Sequence, residues 1–169
     1  MTIHFQSFPK SLPVGEGALL VVEAFQQVAS QVDSSKHKMS SDEVLGVVRP
    51  ALEARFFEVE SGKTASAKIQ RPVLFGEGGK PEKTFEADAF HASSGTVLEV
   101  EAGRGVTNYQ FLKDLFQACV MQDAEHLVIA VRLIYRTSKD YEKVVSFFST
   151  LYASGRLNLP LKSVTALGY

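Results

Sequence analysis

The chain has 169 residues, of which 45% are hydrophobic and 22% are charged, and this composition is typical of a single globular domain. Its one cysteine, Cys119, excludes an intramolecular disulfide framework and any cysteine-based zinc finger. A formal net charge of −1 argues against a protein that coats nucleic acid through bulk charge. It does not exclude a nuclease, because carboxylates that hold a metal offset basic residues elsewhere.

The sequence contains no apolar run that approaches the ~20 residues of a membrane span. Its first residues lack the basic segment and apolar core of a secretory signal. We therefore expect a cytoplasmic protein that does not enter a membrane, folded as one domain over residues 1–169.

Two helices are predicted in the first third of the chain. Apolar residues recur at helical spacing over 15–32. Ser40 and Glu43 form a capping-box pattern, which predicts a second helix that runs to about residue 58. Pro50 lies inside that range and predicts a kink or a restart, because proline lacks a backbone donor.

The middle of the chain predicts strands. Residues 68–75 fit one strand and are followed by a turn-rich segment over 76–81. Residues 83–91 and 96–102 each alternate in polarity around a short turn that contains serine and glycine. This pattern is typical of a β-hairpin.

The last third predicts helices in alternation with strands. A capping-box pattern at Thr107 opens a helix to about residue 122. Its apolar stripe would consist of Tyr109, Leu112, Phe116, Cys119 and Val120. The apolar run 126–131 predicts a strand buried on both faces, and a helix over about 139–153 and a strand near 162–168 follow. The element order predicts an α/β fold with a mixed β-sheet between helices.

The predicted hairpin gathers acidic residues on one face. Folding it about 93–94 places Asp88 opposite Glu99 and Glu86 opposite Glu101, whereas the other face is apolar. Like charges in such positions destabilise a sheet unless a cation binds there or one acid keeps its proton. Mg²⁺ prefers oxygen ligands and takes one or two carboxylates together with water and phosphate oxygens. The cluster is therefore a candidate metal site, with a solvated acidic surface as the alternative.

Residues near the cluster are suited to phosphate. Arg104 lies between two glycines, just after the acidic strand and before a predicted helix start, an arrangement that favours an anion. Lys113 lies off the predicted apolar stripe, where it would reach a substrate phosphate. Glu53 and Glu60, in or just after the second predicted helix, are candidates for a further metal-binding carboxylate.

The pattern resembles the PD-(D/E)xK restriction-endonuclease-like superfamily. It consists of Asp88, a ten-residue spacer and then Glu99-Val100-Glu101 in two adjacent strands, followed by a helix and a buried strand. More narrowly, it is similar to the BamHI/BglII group, in which the usual motif lysine is absent. Glu101 takes the place of that lysine in this sequence. The resemblance covers about residues 50–135.

The resemblance implies a restriction-endonuclease-like fold and Mg²⁺-dependent hydrolysis of DNA, with Mn²⁺ as a substitute cofactor. Asp88 and Glu99 would hold the metal, Glu101 would orient the attacking water or accept its proton, and Glu60 or Glu53 would complete the metal site. A homodimer would cut both strands of a duplex.

Two other interpretations stay open. A protein of the nuclease fold that has lost cleavage would serve as a DNA-binding or protein-interaction module, and the missing motif lysine is consistent with such a loss. An unrelated α/β protein would keep its carboxylates on a solvated surface without a metal.

Overall fold

The computed structural model describes residues 2–103 and 106–169. Its centre is a six-stranded sheet with the strand order β1-β8-β7-β6-β5-β2, and β3 and β4 form a separate two-stranded sheet. The strands are β1 (His4–Phe8), β2 (Glu58–Val59), β3 (Ile69–Phe75), β4 (Pro81–Ala87), β5 (Ala89–His91), β6 (Thr96–Glu101), β7 (His126–Val131) and β8 (Ser163–Gly168).

Helices lie on both faces of the central sheet. They are α1 (Glu16–Gln27), α2 (Ala29–Val32), α3 (Ser41–Glu53), α4 (Gln110–Val120) and α5 (Asp140–Ser154). Within the ranges that the structure describes, no helix combines the length and apolar character needed to cross a bilayer. Strands β6, β7 and β8 run parallel, whereas β1, β5 and β2 pair antiparallel with their neighbours. The predicted mixed α/β sheet between helices is confirmed.

Two hydrophobic clusters fill the space between the sheet and the helices, and the alternation of β6 divides its residues between them. Leu98 and Val100 pack in the cluster with α1 and α3, whereas Val97 packs in the cluster with α4 and α5. Glu99 and Glu101 share the face of Val97, so they lie on the side of α4.

Helix α3 begins where the capping-box pattern predicts, and it ends before its predicted end. Ser40 Oγ accepts a hydrogen bond from the Glu43 N–H, and the Ser40 N–H donates to Glu43 Oε2 at 2.6 Å, which completes the capping box. The helix contains Pro50 but ends at Glu53 rather than near residue 58. The end is set by Phe56, whose φ of 64° lies in the left-handed region and turns the chain out of the helix.

The hairpin has the predicted register over its first three pairs. Ala89 lies opposite Leu98 and His91 lies opposite Thr96, as the apolar pattern predicts.

Beyond these pairs the hairpin departs from the prediction. The chain bends at Asp88, and β4 leaves the central sheet to pair with β3. The predicted pairing of Glu86 with Glu101 is therefore wrong, because Glu86 is exposed and lies opposite Gln70.

Helix α4 differs from its prediction in start and orientation. It begins at Gln110 after Tyr109, which is left-handed with a φ of 55°, and no side chain of a described residue caps it. The predicted capping box at Thr107 is therefore wrong. Tyr109 and Phe116 of the predicted stripe are exposed, and the buried residues are Phe111, Asp114, Leu115 and Ala118. The face that carries Asp114 thus packs toward the sheet.

Helix α1 packs closely on the turn of the β5–β6 hairpin. A Cβ atom at Gly17 would overlap Thr96 Oγ1 and Ser94 Oγ, so only glycine allows this approach. Ser94 Oγ also hydrogen-bonds His91 Nδ1 and Thr96 Oγ1, each at 2.7 Å. These contacts hold the turn in place.

Candidate active site

An acidic cleft of about 460 Å³ lies where the hairpin leaves the central sheet. Its carboxylates are Glu60, Glu86, Asp88, Glu99, Glu101 and Asp114. Two lysines, Lys68 and Lys113, also line this acidic cleft. Carboxylates therefore outnumber cations among its lining residues, and they come from strands, a bend and a helix.

Asp88 is held at the bend by both its side chain and its backbone. Its Oδ2 accepts a hydrogen bond from the Val100 N–H at 2.7 Å, and its carbonyl accepts one from the Glu60 N–H at 2.8 Å. The carboxylate thus satisfies a backbone donor of β6 at the point where β4 turns away. The bend places Asp88 beside Glu99. Burial raises the pKa of Glu99, and the negative charge of Asp88 adds to this effect.

Asp114 completes the cluster from α4. Its side chain is buried, with a relative exposure of 5%, and its Oδ2 has no hydrogen-bond partner among the described residues. Burial raises the pKa of Glu101, the negative charge of Asp114 adds to this effect, and both residues line the acidic cleft. A buried carboxyl oxygen without a hydrogen-bond partner is uncommon in folded proteins.

Burial raises the pKa of every carboxyl group at the centre of the acidic cleft. Desolvation, with the negative charge of Glu60, raises the pKa of Asp88 to about 7. Desolvation, with the neighbouring Asp114, raises the pKa of Glu101 to about 8. Desolvation also raises the pKa of Glu99, where Asp88 adds to the effect, and the pKa of Asp114. The cluster therefore holds protons near neutral pH unless a cation replaces them.

Glu60 lies in the acidic cleft, where its carboxylate forms an ion pair with Lys68. The Lys68 Nζ is 2.8 Å from both carboxylate oxygens of Glu60 and 3.5 Å from Glu86 Oε2. The hydrogen bond to Glu60 raises the pKa of Lys68. A metal would have to displace Lys68 before Glu60 became a ligand, so the ligand role of Glu60 stays a prediction.

The other predicted site residues lie in different places. Glu53 is exposed at the end of α3, outside the acidic cleft, so the structure does not bring it to the cluster. Lys113 is exposed and lines the acidic cleft. Arg104 lies outside the described residues, and its predicted phosphate contact stays a prediction.

Comparisons with protein-family models, with curated proteins and with solved structures find no match. The interpretation of the acidic cleft therefore depends on its own residues and their geometry.

The oxygen donors of the acidic cleft fit a hard divalent cation that takes few protein ligands. In the part of the chain that the structure describes, no group of three or more His, Cys, Asp or Glu side chains is arranged to hold a metal. Mg²⁺ and Mn²⁺ need only one or two carboxylates when water and phosphate oxygens complete the shell. Asp88 and Glu99 supply two neighbouring carboxylates, and Asp114 Oδ2, which has no hydrogen-bond partner among the described residues, lies in a cleft where carboxylates outnumber lysines.

Two residues of the acidic cleft, Lys68 and Asp114, were not assigned to the site from the sequence. The signal for Asp114 is a polar stripe on α4, in which Lys113, Asp114 and Gln117 stand at helical spacing and line the cleft. Lys68 lies one residue before β3, and nothing local distinguishes it from a surface lysine.

Proposed function

We propose that the protein is a metal-dependent endonuclease that hydrolyses DNA phosphodiester bonds through the acidic cleft. The observation that supports it best is the adjacency of Asp88 and Glu99 on neighbouring segments, with Glu101 two residues further along the same face of β6. Burial raises the pKa values of Asp88 and Glu101, so a bound cation would compensate their negative charge, and the neighbouring lysines suit a phosphate.

Asp88 and Glu99 would hold Mg²⁺ or Mn²⁺. When bound, the ion polarises the phosphoryl group and lowers the pKa of a coordinated water. The hydrogen bond from the Val100 N–H fixes the orientation of the Asp88 carboxylate, so the chain presents it without reorganisation.

Glu101 would orient the attacking water and accept its proton. Its pKa of about 8 lies close to neutral pH, where a general base is most effective. The negative charge of Asp114 helps to raise that pKa, so Asp114 would act by adjusting the protonation of Glu101.

Lys68 and Lys113 would position the DNA backbone. Lys68 is held inside the acidic cleft by Glu60, and Lys113 is exposed where it can meet an incoming phosphate. Contacts of this kind fix the register of the substrate without reading its bases. A homodimer would place two acidic clefts on one DNA molecule.

The test is cleavage of supercoiled plasmid with Mg²⁺ or Mn²⁺. The wild-type protein should nick it, and EDTA should stop the reaction. Asp88→Asn should lower the rate by about 10²-fold or more, because it removes a charge that holds the ion while its amide oxygen still accepts from Val100. Glu53→Gln is the matched control and should cleave at the wild-type rate.

Cleavage by Asp88→Asn at the wild-type rate would overturn the proposal. A wild-type protein that binds Mn²⁺ and DNA in calorimetry yet leaves the plasmid intact would also overturn it, and would favour the non-cleaving nuclease-fold module.

A further inference from the structure

A basic cleft of about 830 Å³ adjoins the acidic cleft at the carboxyl ends of β6 and β7. Its cations are Lys38, Arg132 and Arg136, and Tyr135 lies among them. Glu43 is the one carboxylate among the described residues that line it. We call this surface the basic cleft.

The topology of the sheet explains the position of the basic cleft. Strands β6 and β7 are parallel, with Glu101 opposite Val131, so the chain leaves both strands at the same edge. Arg132 follows β7 directly and Ala102 follows β6. Crevices outside the carboxyl ends of parallel strands are frequent ligand sites in open α/β sheets.

The two clefts adjoin each other along a shared rim. Ser41 and Glu101 line the acidic cleft, and the adjacent residues Ser40 and Ala102 line the basic cleft. The Ala102 N–H donates to Ser41 Oγ at 3.0 Å, which ties the two rims together. A chain molecule with a phosphate in the acidic cleft would therefore cross only this rim to enter the basic cleft.

The positive charge of the basic cleft is available to a ligand. Lys38 and Arg136 are exposed and form no ion pair with any described residue. Glu43 is engaged elsewhere, since its Oε2 accepts from the Ser40 N–H and from Ser40 Oγ in the cap of α3. Two cations thus remain without a carboxylate partner.

Arg132 joins the walls of the basic cleft. It is buried, its guanidinium donates to the Met39 carbonyl, and its charge acts on the buried Asp140. Because it links the segment before α3 to the loop after β7, Arg132 gives the basic cleft its shape.

A tight turn holds an aromatic ring beside the free arginine. Tyr135 and Ser138 exchange two backbone hydrogen bonds of 2.8 Å, and Arg136 adopts a left-handed φ of 55° between them. The Tyr135 ring centroid lies 5.1 Å from the guanidinium carbon of Arg132 and 5.4 Å from that of Arg136. Aromatic rings and guanidinium planes in a groove are the groups on which unpaired nucleic-acid bases stack.

We infer that the basic cleft binds a single strand of nucleic acid that continues from the scissile phosphate, with Lys38 and Arg136 on its phosphates and Tyr135 against an unstacked base. The inference rests on the proposed function, which places the scissile phosphate in the acidic cleft. It adds the substrate class, namely DNA with an unpaired segment beside the cleaved bond. A fully paired duplex offers no free base face to Tyr135.

The test is binding without cleavage, measured in EDTA by the fluorescence anisotropy of a labelled 20-mer in single-stranded and duplex form. The wild-type protein should prefer the single strand. Tyr135→Leu should weaken its binding by about tenfold or more, because a stacked base is lost. Arg136→Gln and Lys38→Gln should each reduce the slope of log K against log salt by about 0.7.

Arg156→Gln is the matched control, because Arg156 is an exposed arginine outside both clefts. It should bind as the wild type does, and all four variants should keep the wild-type melting temperature. Wild-type affinity and salt slope in Tyr135→Leu and Arg136→Gln would overturn the inference, and so would a preference for duplex.

The two proposals can fail separately. Loss of binding in the basic-cleft variants of a protein that does not nick plasmid would support the inference and refute the nuclease. Plasmid cleavage by the wild-type protein, with binding unchanged in the basic-cleft variants, would support the nuclease and refute the inference.

Discussion

The acidic cleft and the basic cleft share a rim, yet they hold their charges in different ways. Four carboxylates of the acidic cleft lie on β6, on the bend before β5 and on α4, where burial raises their pKa values; they are Asp88, Glu99, Glu101 and Asp114. Lys38 and Arg136 of the basic cleft are exposed on loops. The first arrangement fixes the position of the charges and suppresses ionisation, and the second leaves the charges exposed to solvent.

This difference predicts different sensitivities. The acidic cleft should respond to pH and to divalent cations, because both change the cost of ionising buried carboxyl groups. The basic cleft should respond to ionic strength, because exposed charges are screened within about 10 Å at 0.1 M salt. Variants in the acidic cleft and in the basic cleft should therefore differ in their effects.

The largest effect should be on cleavage. Glu99→Gln should lower the rate of plasmid nicking by at least about 10²-fold, since it removes one of the two carboxylates that would hold the metal. Arg136→Gln should instead raise KM and leave kcat within a fewfold, because it acts on substrate binding. Steady-state kinetics in Mg²⁺ measure both. A wild-type kcat in Glu99→Gln would contradict the division of roles, in which the acidic cleft carries out cleavage and the basic cleft binds substrate.

The free energy of unfolding should fall as pH rises from 5 to 7 in EDTA. The folded chain keeps protons on Asp88 and Glu101, whose pKa values are about 7 and 8, whereas these groups ionise near pH 4 in the unfolded chain. The unfolded state therefore binds fewer protons across this range, and each group lowers stability by up to about 1.4 kcal/mol per pH unit.

Urea unfolding at each pH measures this dependence. Glu101→Gln should flatten the curve and should be more stable than the wild type at pH 8, whereas Arg136→Gln should follow the wild-type curve. A wild-type protein as stable at pH 8 as at pH 5 would refute the interpretation of the acidic cleft as a set of buried charges.

Mn²⁺ should stabilise the wild-type protein at pH 8. A ligand that binds the folded state alone adds about 2.7 kcal/mol at a hundred times its Kd. Asp88→Asn should abolish the rise in melting temperature, and Lys38→Gln in the basic cleft should keep it. An equal rise in Asp88→Asn would place the ion elsewhere.

A smaller effect should follow from Lys68→Met. The change leaves the buried Glu60 without its partner and should lower the free energy of unfolding by about 2 kcal/mol. Lys113→Met is the control and should change it by less than about 0.5 kcal/mol, because Lys113 is exposed. The double variant Lys68→Met/Glu60→Gln should recover part of the loss, as a thermodynamic cycle would measure.

The register of the hairpin was predictable because it depends on local pattern. The apolar side chains Ala89, Leu98 and Val100 must share one face, and a slip of one residue would turn them to the other side. The bend at Asp88 was not predictable, since alternation continues through it. It depends on a side-chain oxygen that replaces a backbone partner in a neighbouring strand.

The orientation of α4 shows where local pattern misleads. Tyr109 and Phe116 are exposed aromatic residues, and Asp114 is a buried acid, so each reverses the rule that links polarity to burial. Tertiary structure decides such cases, because the polar stripe of α4 covers an acidic sheet face rather than solvent.

Neither the edge strand β1 nor the basic cleft was predicted from the sequence, and the reason is the same for both. Strand β1 exists through its pairing with β8 at the other end of the chain. The basic cleft combines Lys38 and Met39 with Arg132 and Arg136, from segments far apart in sequence. Neither feature has a local sequence pattern that identifies the distant segment it depends on.

The close contact of Gly17 with the hairpin turn has a consequence for genetics. Helix α1 packs on the turn at one end of the hairpin, and Asp88 and Glu99 lie toward the other end. The contact of Gly17 with the side chains of Ser94 and Thr96 therefore supports the alignment of the two carboxylates. A screen for inactive alleles should therefore recover substitutions at position 17, a residue that never meets the substrate.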